Sequence, residues 1–144
     1  MAKMKNCIIC QLVNEKIEVT KVYEDDLVVA VMDIQPINPG HIFISPKKHV
    51  KLVSELDEDL AAHIFKIAIR LNDALRKSGL KCEGVNFFLA DGEAAMQEIP
   101  HVHLHVIPRI KGDGFGLKFD ESYFQLPERK ELEKAANLIR KAFE

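Results

Sequence analysis

The chain has 144 residues, a length typical of one compact domain, and a single domain over residues 1–144 is predicted. Apolar residues make up 47% and charged residues 29%, which fits a soluble globular chain and excludes collagen-like or disordered classes. The net charge of −2 lacks the basic excess that drives nucleic-acid binding. No apolar run is long enough to cross a bilayer and the start resembles no signal peptide, so we expect no membrane partner and a cytoplasmic location.

The first half of the chain contains two predicted β-strands joined by a tight turn. Residues 21–23 and 27–33 are rich in β-formers, and the acidic residues 24–26 between them favour a hairpin turn. A Pro, Asn and Gly-rich loop over 35–40 then leads into a further strand over 41–45. A short helix around residues 8–14 precedes these elements.

The second half contains the clearest helix of the chain. From Asp57, a suitable N-cap, apolar residues recur with a period of 3.6 until Gly79 provides a stop. Residues 85–90 and 102–106 have strand character, and a final helix is predicted after Pro127. Strands that come in neighbouring pairs around one long helix indicate an α+β domain with an antiparallel sheet.

Three cysteines, an odd number, indicate reduced thiols rather than a disulfide framework. Cys7 and Cys10 have the two-residue spacing that lets both thiolates bind one tetrahedral zinc, but they provide only half of such a site. His49 and one histidine from residues 101–105 are the obvious further donors. A buried pair of small residues on a turn, or a redox dithiol, is the alternative. Cys82 has no partner in the sequence and is expected in the core.

Histidine occupies every second position from His101 to His105, with Val102 and Leu104 between. In a β-strand alternate side chains share a face, so the spacing predicts that three imidazoles line one surface while the aliphatic residues enter the core. Histidine adds nucleophilicity, proton transfer near neutral pH or metal ligation to such a surface. A histidine-rich polar face without chemistry is the alternative.

The motif His101-Val102-His103-Leu104-His105-Val106-Ile107 resembles the signature of the histidine triad (HIT) family of nucleotide hydrolases and transferases. Further segments resemble family landmarks in their usual order, and together they cover roughly residues 5–118: Cys7–Cys10, Tyr23–Asp26, Met32–Ile34, Asn38–His41, Pro46–His49 and Pro108–Arg109. The resemblance implies a HIT-like fold, a five-stranded antiparallel sheet with a long helix and a C-terminal helix, built as a homodimer.

The resemblance also implies a chemistry. His103 corresponds to the nucleophile that attacks the α-phosphorus of a nucleotide and forms a covalent nucleotidyl-histidine, which an acceptor then resolves. His105 corresponds to a residue that contacts the phosphate or helps the leaving group depart, and His41 corresponds to the upstream histidine that completes the active-site cluster. Gln97 corresponds to a residue beside the transferred phosphate and the leaving group.

A nucleotide pocket and a metal site follow from the same correspondence. Asp33 matches the residue that accepts hydrogen bonds from the ribose hydroxyls, and four apolar residues resemble the pocket for a purine base: Ile8, Ile9, Leu12 and Ile34. For each of these aliphatic residues, packing in the core is the alternative. Members with the paired cysteines hold a structural zinc, and the corresponding ligands here are Cys7, Cys10, His49 and His101.

Three positions depart from the best-known family pattern. Ala90 stands where many members carry Asn or Gln, and Met96 stands where a glycine often lies in the loop that cradles the α-phosphate. Glu98 replaces a Ser or Thr near the leaving group, and its charge disfavours a highly anionic polyphosphate there.

The function expected on this basis is hydrolysis or transfer at a nucleoside α-phosphate, with a phosphoramidate or dinucleoside polyphosphate as substrate and a nucleoside monophosphate as product. One alternative is a metallohydrolase in which His101, His103 and His105 all bind a catalytic metal. The other is a nucleotide-binding adaptor with negligible catalysis.

Overall fold

A computed structural model of the protein describes residues 6–143. The chain forms two compact units, of which the first ends at Asp113 and the second begins at Gly114. All residues that the sequence analysis assigned to the site belong to the first unit. The expectation of one domain over the full length stays a prediction.

The first unit is built on one five-stranded sheet whose strands are all antiparallel to their neighbours. The strands are β1 (Lys21–Glu24), β2 (Val28–Met32), β3 (Ile42–Pro46), β4 (Gly84–Phe88) and β5 (Leu104–Arg109). Their order across the sheet is β1-β2-β3-β5-β4, so the last strand is inserted between β3 and β4. The predicted α+β class and the five-stranded antiparallel sheet are confirmed. The strand β4 forms one edge of the sheet.

Within residues 6–143 the first unit contains the helices α1 (Ile8–Val13) and α2 (Glu58–Lys77), and the second unit contains α3 (Arg129–Phe143). The predicted start of α2 is confirmed, because the Asp57 side chain accepts hydrogen bonds from the backbone N–H groups of Asp59 and Leu60. Gly79, with φ +86°, follows its end in the left-handed conformation that glycine favours. Short 3₁₀ turns that the sequence did not predict occur at Val53–Glu55, Glu93–Ala95 and Glu121–Phe124.

Both faces of the sheet are covered, and strand β2 shows how. Val28 and Ala30 belong to a core that includes the buried residues of α2, whereas Val29 and Val31 pack with Leu12 of α1 on the opposite face. Alternate residues of a strand point to opposite faces, so a strand covered on both sides is apolar throughout. Helix α1 is thereby fixed against the sheet, which places Cys7 and Cys10 among buried residues.

The β1–β2 hairpin is tied to α2 through one carboxylate. Asp25 accepts hydrogen bonds from the backbone of Leu27 and Val28, and from the hydroxyl of Tyr23 at 2.8 Å. Its Oδ2 atom lies 2.6 Å from Nε2 of His63 on α2. Burial opposes the charged form of Asp25, but these hydrogen bonds outweigh burial and hold the pKa of the carboxyl below its usual range.

The second unit contains α3, which begins at Arg129, two residues after the predicted Pro127. Its apolar side chains remain exposed, among them Leu138, Ile139 and Phe143. Over residues 6–143, no helix combines the length with the apolar character that spanning a membrane requires.

Candidate active site and metal centre

The three clustered histidines do not share one strand face as the spacing predicted. Strand β5 begins at Leu104, so His101 and His103 lie in the segment before it. In that segment the N–H of Val102 donates to the carbonyl of Val50 rather than to a neighbouring strand. His101 is 0% exposed, whereas His103 and His105 are only partly buried. The histidines therefore divide into one buried residue and two that are partly accessible.

His101 lies in a cluster with two thiols and a second imidazole. Its Nδ1 atom lies 3.5 Å from Sγ of Cys7 and 3.6 Å from Sγ of Cys10, and Nδ1 of His49 lies 3.2 Å from Sγ of Cys10. The four ligand atoms are all within 4.8 Å of one another. Tetrahedral zinc with Zn–S of about 2.3 Å and Zn–N of about 2.0 Å separates sulfur and nitrogen ligands by roughly 3.5 Å. The cluster has the donors and spacing of a Cys₂His₂ site.

Hydrogen bonding leaves the correct nitrogen of His101 free for a metal. Nε2 lies 2.8 Å from the carbonyl oxygen of Pro46. A carbonyl can only accept, so Nε2 carries the proton and Nδ1 keeps its lone pair, directed at the sulfur atoms. Burial lowers the pKa of His101 to about 4, so the ring is neutral at pH 7. Burial, followed by the neighbouring Cys7, raises the pKa of the Cys10 thiol to about 11 in the absence of a cation.

His103 is oriented by the same residue through the backbone. Its Nδ1 atom lies 2.7 Å from the carbonyl oxygen of His101, so Nδ1 carries the proton and donates. The lone pair of the neutral ring is consequently on Nε2, the atom farther from the main chain. The His103 ring also contacts Phe43 and His105 at centroid distances of 5.7 and 4.9 Å. This geometry makes Nε2 the nucleophilic nitrogen of the neutral ring form.

His41 and His105 form a directly bonded pair. His41 Nε2 lies 2.9 Å from His105 Nδ1, and the backbone N–H of Ile37 donates to His41 Nδ1 at 3.1 Å. Since Nδ1 of His41 accepts, its Nε2 carries the proton and donates to His105, whose own proton is then on Nε2. Burial is the main cause that lowers the pKa of His41, and burial with the neighbouring His103 and His41 lowers that of His105 to about 4. Both rings are neutral at pH 7.

Asp33 lies beside this pair without a hydrogen bond to it. Its Oδ1 accepts from the backbone of Gln35 at 2.8 Å, while Oδ2 lies 3.6 Å from His41 and 3.8 Å from His105. These three side chains could also surround a metal. However, the only lone pair of neutral His41 faces the Ile37 amide, so the hydrogen bonding favours an imidazole pair over a second metal site. Among the described residues, His101, His103 and His105 do not converge on one point as the metallohydrolase alternative requires.

Gln97 closes the loop before the histidines rather than projecting into open space. Its Oε1 accepts from the N–H of Gly92 at 2.8 Å, and its Nε2 donates to the carbonyls of Lys51 and Ile99 at 2.8 and 3.1 Å. Both halves of the amide are therefore engaged, within the loop by Gly92 and Ile99 and outside it by Lys51. Contact of Gln97 with a phosphate requires at least one of these bonds to break.

Met96 adopts a left-handed backbone with φ +69°, at the position where the family often has glycine. Its side chain is 71% exposed. An L-residue in this conformation costs about 1 kcal/mol relative to glycine. The N–H groups of residues 95–97 all bond to carbonyls of the same loop, so these three amides are not free to cradle a phosphate in this conformation.

The four aliphatic residues assigned to a base pocket separate into two groups. Ile9 and Leu12 are buried, Ile9 with the two cysteines and Leu12 against the sheet. Ile8 is half exposed, and Ile34 is 91% exposed. Only Ile8 and Ile34 offer surface to a ligand in this structure. Ile9 and Leu12 pack in the core, which is the alternative given for these residues from the sequence.

Three residues near His41 had been assigned no functional role from the sequence. Asn38, Arg109 and Asp113 form a hydrogen-bonded group beside the β2–β3 loop, described further below. Asn38 and Arg109 lie in segments that resemble family landmarks, but neither had been given a role. The opposite charges of Arg109 and Asp113, four residues apart in a glycine-containing turn, were the available signal.

A five-stranded antiparallel sheet with a Cys₂His₂ cluster and an adjoining group of three histidines defines a HIT-type protein. The family profile described as HIT domain matches residues 14–112. The chain belongs to the HIT family.

Two solved structures resemble the whole chain. A HIT family protein from Bacillus subtilis is 34% identical, with a TM-score of 0.84 over 94% of this chain and 96% of that chain. A Zn-bound histidine triad family protein from Mycobacterium smegmatis is 31% identical, with a TM-score of 0.75 over 96% of this chain and 99% of that chain. The second places this chain alongside a zinc-containing branch of the family.

Two curated relatives are also similar in sequence. An uncharacterized HIT-like protein from Borreliella burgdorferi is 40% identical over 80% of this chain and 84% of its own length. An adenylylsulfatase from Arabidopsis thaliana is 31% identical over 75% of this chain and 54% of its own length.

Proposed function

We propose that this protein is a nucleotide hydrolase or transferase that acts at a nucleoside α-phosphate through a nucleotidyl-histidine on His103. The observation that carries the proposal is the bond from His103 Nδ1 to the carbonyl of His101, which places the lone pair of the neutral ring form on Nε2. A neutral nitrogen approaches an anionic phosphate without charge repulsion. The similarity to an adenylylsulfatase supports hydrolysis at an adenylyl group.

The reaction proceeds in two displacements. In the first, Nε2 of His103 forms a bond to the α-phosphorus while the bond from phosphorus to the leaving group breaks. In the second, water or another acceptor forms a bond to phosphorus, and the histidine leaves with its electron pair. Each step is easier than direct hydrolysis because the intermediate divides the barrier. The product of hydrolysis is a nucleoside monophosphate.

His105 and His41 assist as neutral donors. The Nε2–H of His105 is available to a phosphoryl oxygen or to the departing atom, since its Nδ1 is occupied by His41. A donor directed at developing negative charge stabilises the transition state more than the ground state. The role assigned to Gln97 beside the phosphate requires its amide to leave the loop bonds that it makes in the free protein.

A purine nucleotide is the proposed ligand, with AMP as the product bound after hydrolysis. Asp33 is the acceptor proposed for the ribose hydroxyls, and its Oδ2 has no hydrogen bond in the described structure that a ribose would have to displace. The exposed surfaces of Ile8 and Ile34 are available to the base. Ile9 and Leu12 support that surface from beneath, in the core.

We further propose that the Cys₂His₂ cluster, formed by Cys7, Cys10, His49 and His101, holds a structural zinc. Bound there, zinc cross-links α1, the segment after β3 and the segment that carries His103. It leaves no ligand position for substrate, because four protein ligands complete a tetrahedron. Free cysteines are consistent with the cytoplasm as the proposed location.

A homodimer is the proposed assembly. Strand β4 is an edge of the sheet, and Phe87 and Phe88 on it are partly exposed. Beside them on α2, Phe65 is half exposed and its ring lies 5.8 Å from that of Phe87. An uncovered edge with adjoining aromatic surface favours pairing with another strand, and a second copy offers the same edge.

The experiment that tests the function is incubation of the purified chain with an adenosine 5′-phosphoramidate, followed by acid-free quenching and intact mass measurement. The expected result is release of AMP and a nucleotidyl adduct on His103 that peptide mapping locates. Binding of AMP without turnover of phosphoramidates, dinucleoside polyphosphates or adenylyl sulfate would instead support the adaptor alternative.

A further inference from the structure

The buried side-chain amide of Asn38 holds the loop between β2 and β3 in place. Asn38 Nδ2 donates to the carbonyl of Pro108 at 2.9 Å and to Oδ2 of Asp113 at 2.7 Å. The backbone carbonyl of Asn38 accepts from the N–H of His41 at 3.1 Å. Asn38 therefore connects the end of β5 to the residue that bonds His105.

Asp113 is itself fixed by a two-point ion pair. Its Oδ2 and Oδ1 accept from Nε and Nη2 of Arg109 at 2.7 and 2.6 Å, and its side chain is 5% exposed. Arg109 Nη1 also donates to Oδ1 of Asn86 on β4 at 2.6 Å. Paired in this way, the buried carboxylate is compensated and rigid, and Asn38 is bonded to an immobile acceptor.

The position of this loop determines the state of His41. The N–H of Ile37, one residue before Asn38, donates to His41 Nδ1. Protonation of that nitrogen would place two N–H groups face to face. The other charged or titratable groups near His41 are Asp33 at 3.6 Å and His105 at 2.9 Å, with His103 beyond His105.

We propose that Asp113, acting through Asn38, is a positioning residue that keeps the Ile37 amide on His41 and thereby presents His105 as a neutral Nε2–H donor. The catalytic part of this proposal rests on the proposed function. The structural part, which concerns the tautomer of His41, does not. Asp113 is argued to act on the imidazoles only through Asn38.

The test uses Asn38→Ala and Asp113→Asn in the full chain, with Asp73→Asn as the matched control. Asp73 is also a carboxylate paired with a cation four residues away, but its pair with Lys77 is exposed and lies on α2. Long-range ¹H–¹⁵N spectra of the imidazoles report the tautomer directly. AMP release gives kcat and KM over pH 5–9.

In the wild type and in Asp73→Asn, His41 is expected as one Nε2–H tautomer. In both test variants we expect a mixture of His41 tautomers. We also expect kcat to fall at least tenfold while KM changes less than twofold. The acidic limb of the pH profile of kcat should move upward by about one pH unit. The upward shift follows because a released His41 can be protonated at Nδ1 beside Asp33.

Variants that melt earlier but keep the single tautomer, the wild-type kcat and the acidic limb would overturn the proposal, because they would show a purely structural role. If Asn38→Ala does not fold, Asn38→Ser provides the same readouts with a smaller loss of polar contact. Absence of turnover in the wild type would contradict the proposed function, while the tautomer of His41 in the variants would still decide the positioning role.

Discussion

The carbonyl oxygen of His101 accepts the Nδ1 proton of His103 at 2.7 Å, while the His101 ring is directed at Cys7 and Cys10. One residue thus serves two purposes, with its backbone orienting the proposed nucleophile and its side chain joining the Cys₂His₂ cluster. A shift of His101 would move the acceptor that fixes the tautomer of His103.

Replacement of His103 by Asn is expected to abolish turnover and to spare AMP binding, because the side chain is partly exposed and acts in bond formation rather than in packing. Initial rates and calorimetric titration with AMP measure the two properties. His63→Asn, a histidine change on α2 away from the site, serves as control. A rate above a few per cent of wild type in His103→Asn would show that another group is the nucleophile.

One zinc per chain is expected by elemental analysis of protein purified without chelator. Structural zinc contributes on the order of 10 kcal/mol of apparent binding free energy, so Cys10→Ala should lower the melting temperature by roughly 10 °C or more. Cys82→Ala removes the thiol outside the cluster and should change melting far less. Metal-free protein with wild-type stability would contradict the assignment.

Met96→Gly is expected to stabilise the protein by about 0.5–1 kcal/mol, since glycine removes the penalty of the left-handed backbone and no packed side chain is lost. Urea unfolding measures the change. Ala95→Gly, in the neighbouring 3₁₀ turn, is the control and should destabilise. A lower free energy of unfolding for Met96→Gly would show that the thioether makes a stabilising contact.

Glu98 is exposed beside the loop closed by Gln97. Its carboxylate should repel a leaving group with several negative charges, and a close pair of like charges costs about 1 kcal/mol even in water. An adenosine phosphoramidate is therefore expected to exceed a dinucleoside tetraphosphate at least about tenfold in kcat/KM. Glu98→Ser should narrow that ratio, and Glu93→Ser is the control. Equal kcat/KM values in the wild type would refute this role.

The pH dependence of the free energy of unfolding in acid should reflect the charge of Asp25. Its pKa is lower in the folded chain than in the unfolded chain, so its contribution is complete above the unfolded pKa near 3.8 and is lost as pH falls below it. Asp25→Asn should therefore be less stable than wild type by about 1 kcal/mol or more at pH 7, with the difference shrinking below pH 4. Chemical denaturation from pH 3 to pH 7 measures it. A difference that does not change with pH would exclude the charge as its cause.

The sequence predicted most of the fold because its signals are local. The Asp57 cap and the apolar period of α2 required no tertiary information, and the alternating motif around His105 placed a strand correctly. The point where that strand starts could not be predicted, because residues 101–103 bond to the segment that follows β3.

The candidate site was predicted by resemblance more than by local pattern. The four residues proposed as metal ligands lie together as the motifs implied. The bond from Gln97 to the carbonyl of Lys51 and the bond from Asn38 to Asp113 join residues far apart in sequence, which no motif encodes. The sequence pattern identified the types of residue in the site, whereas their hydrogen-bond partners could be identified only from the structure.

The order of the strands also governs when the site can exist. Cys7 lies 94 residues before its partner His101, and β5, the last strand in the sequence, is an inner strand of the sheet. Contacts over such separations form late in folding because a long loop must close first. During synthesis the thiols of α1 emerge long before the histidine that completes their cluster. Until then they are available to other thiols, oxidants and competing metals, so Cys7 and Cys10 are more vulnerable in the nascent chain than in the finished protein.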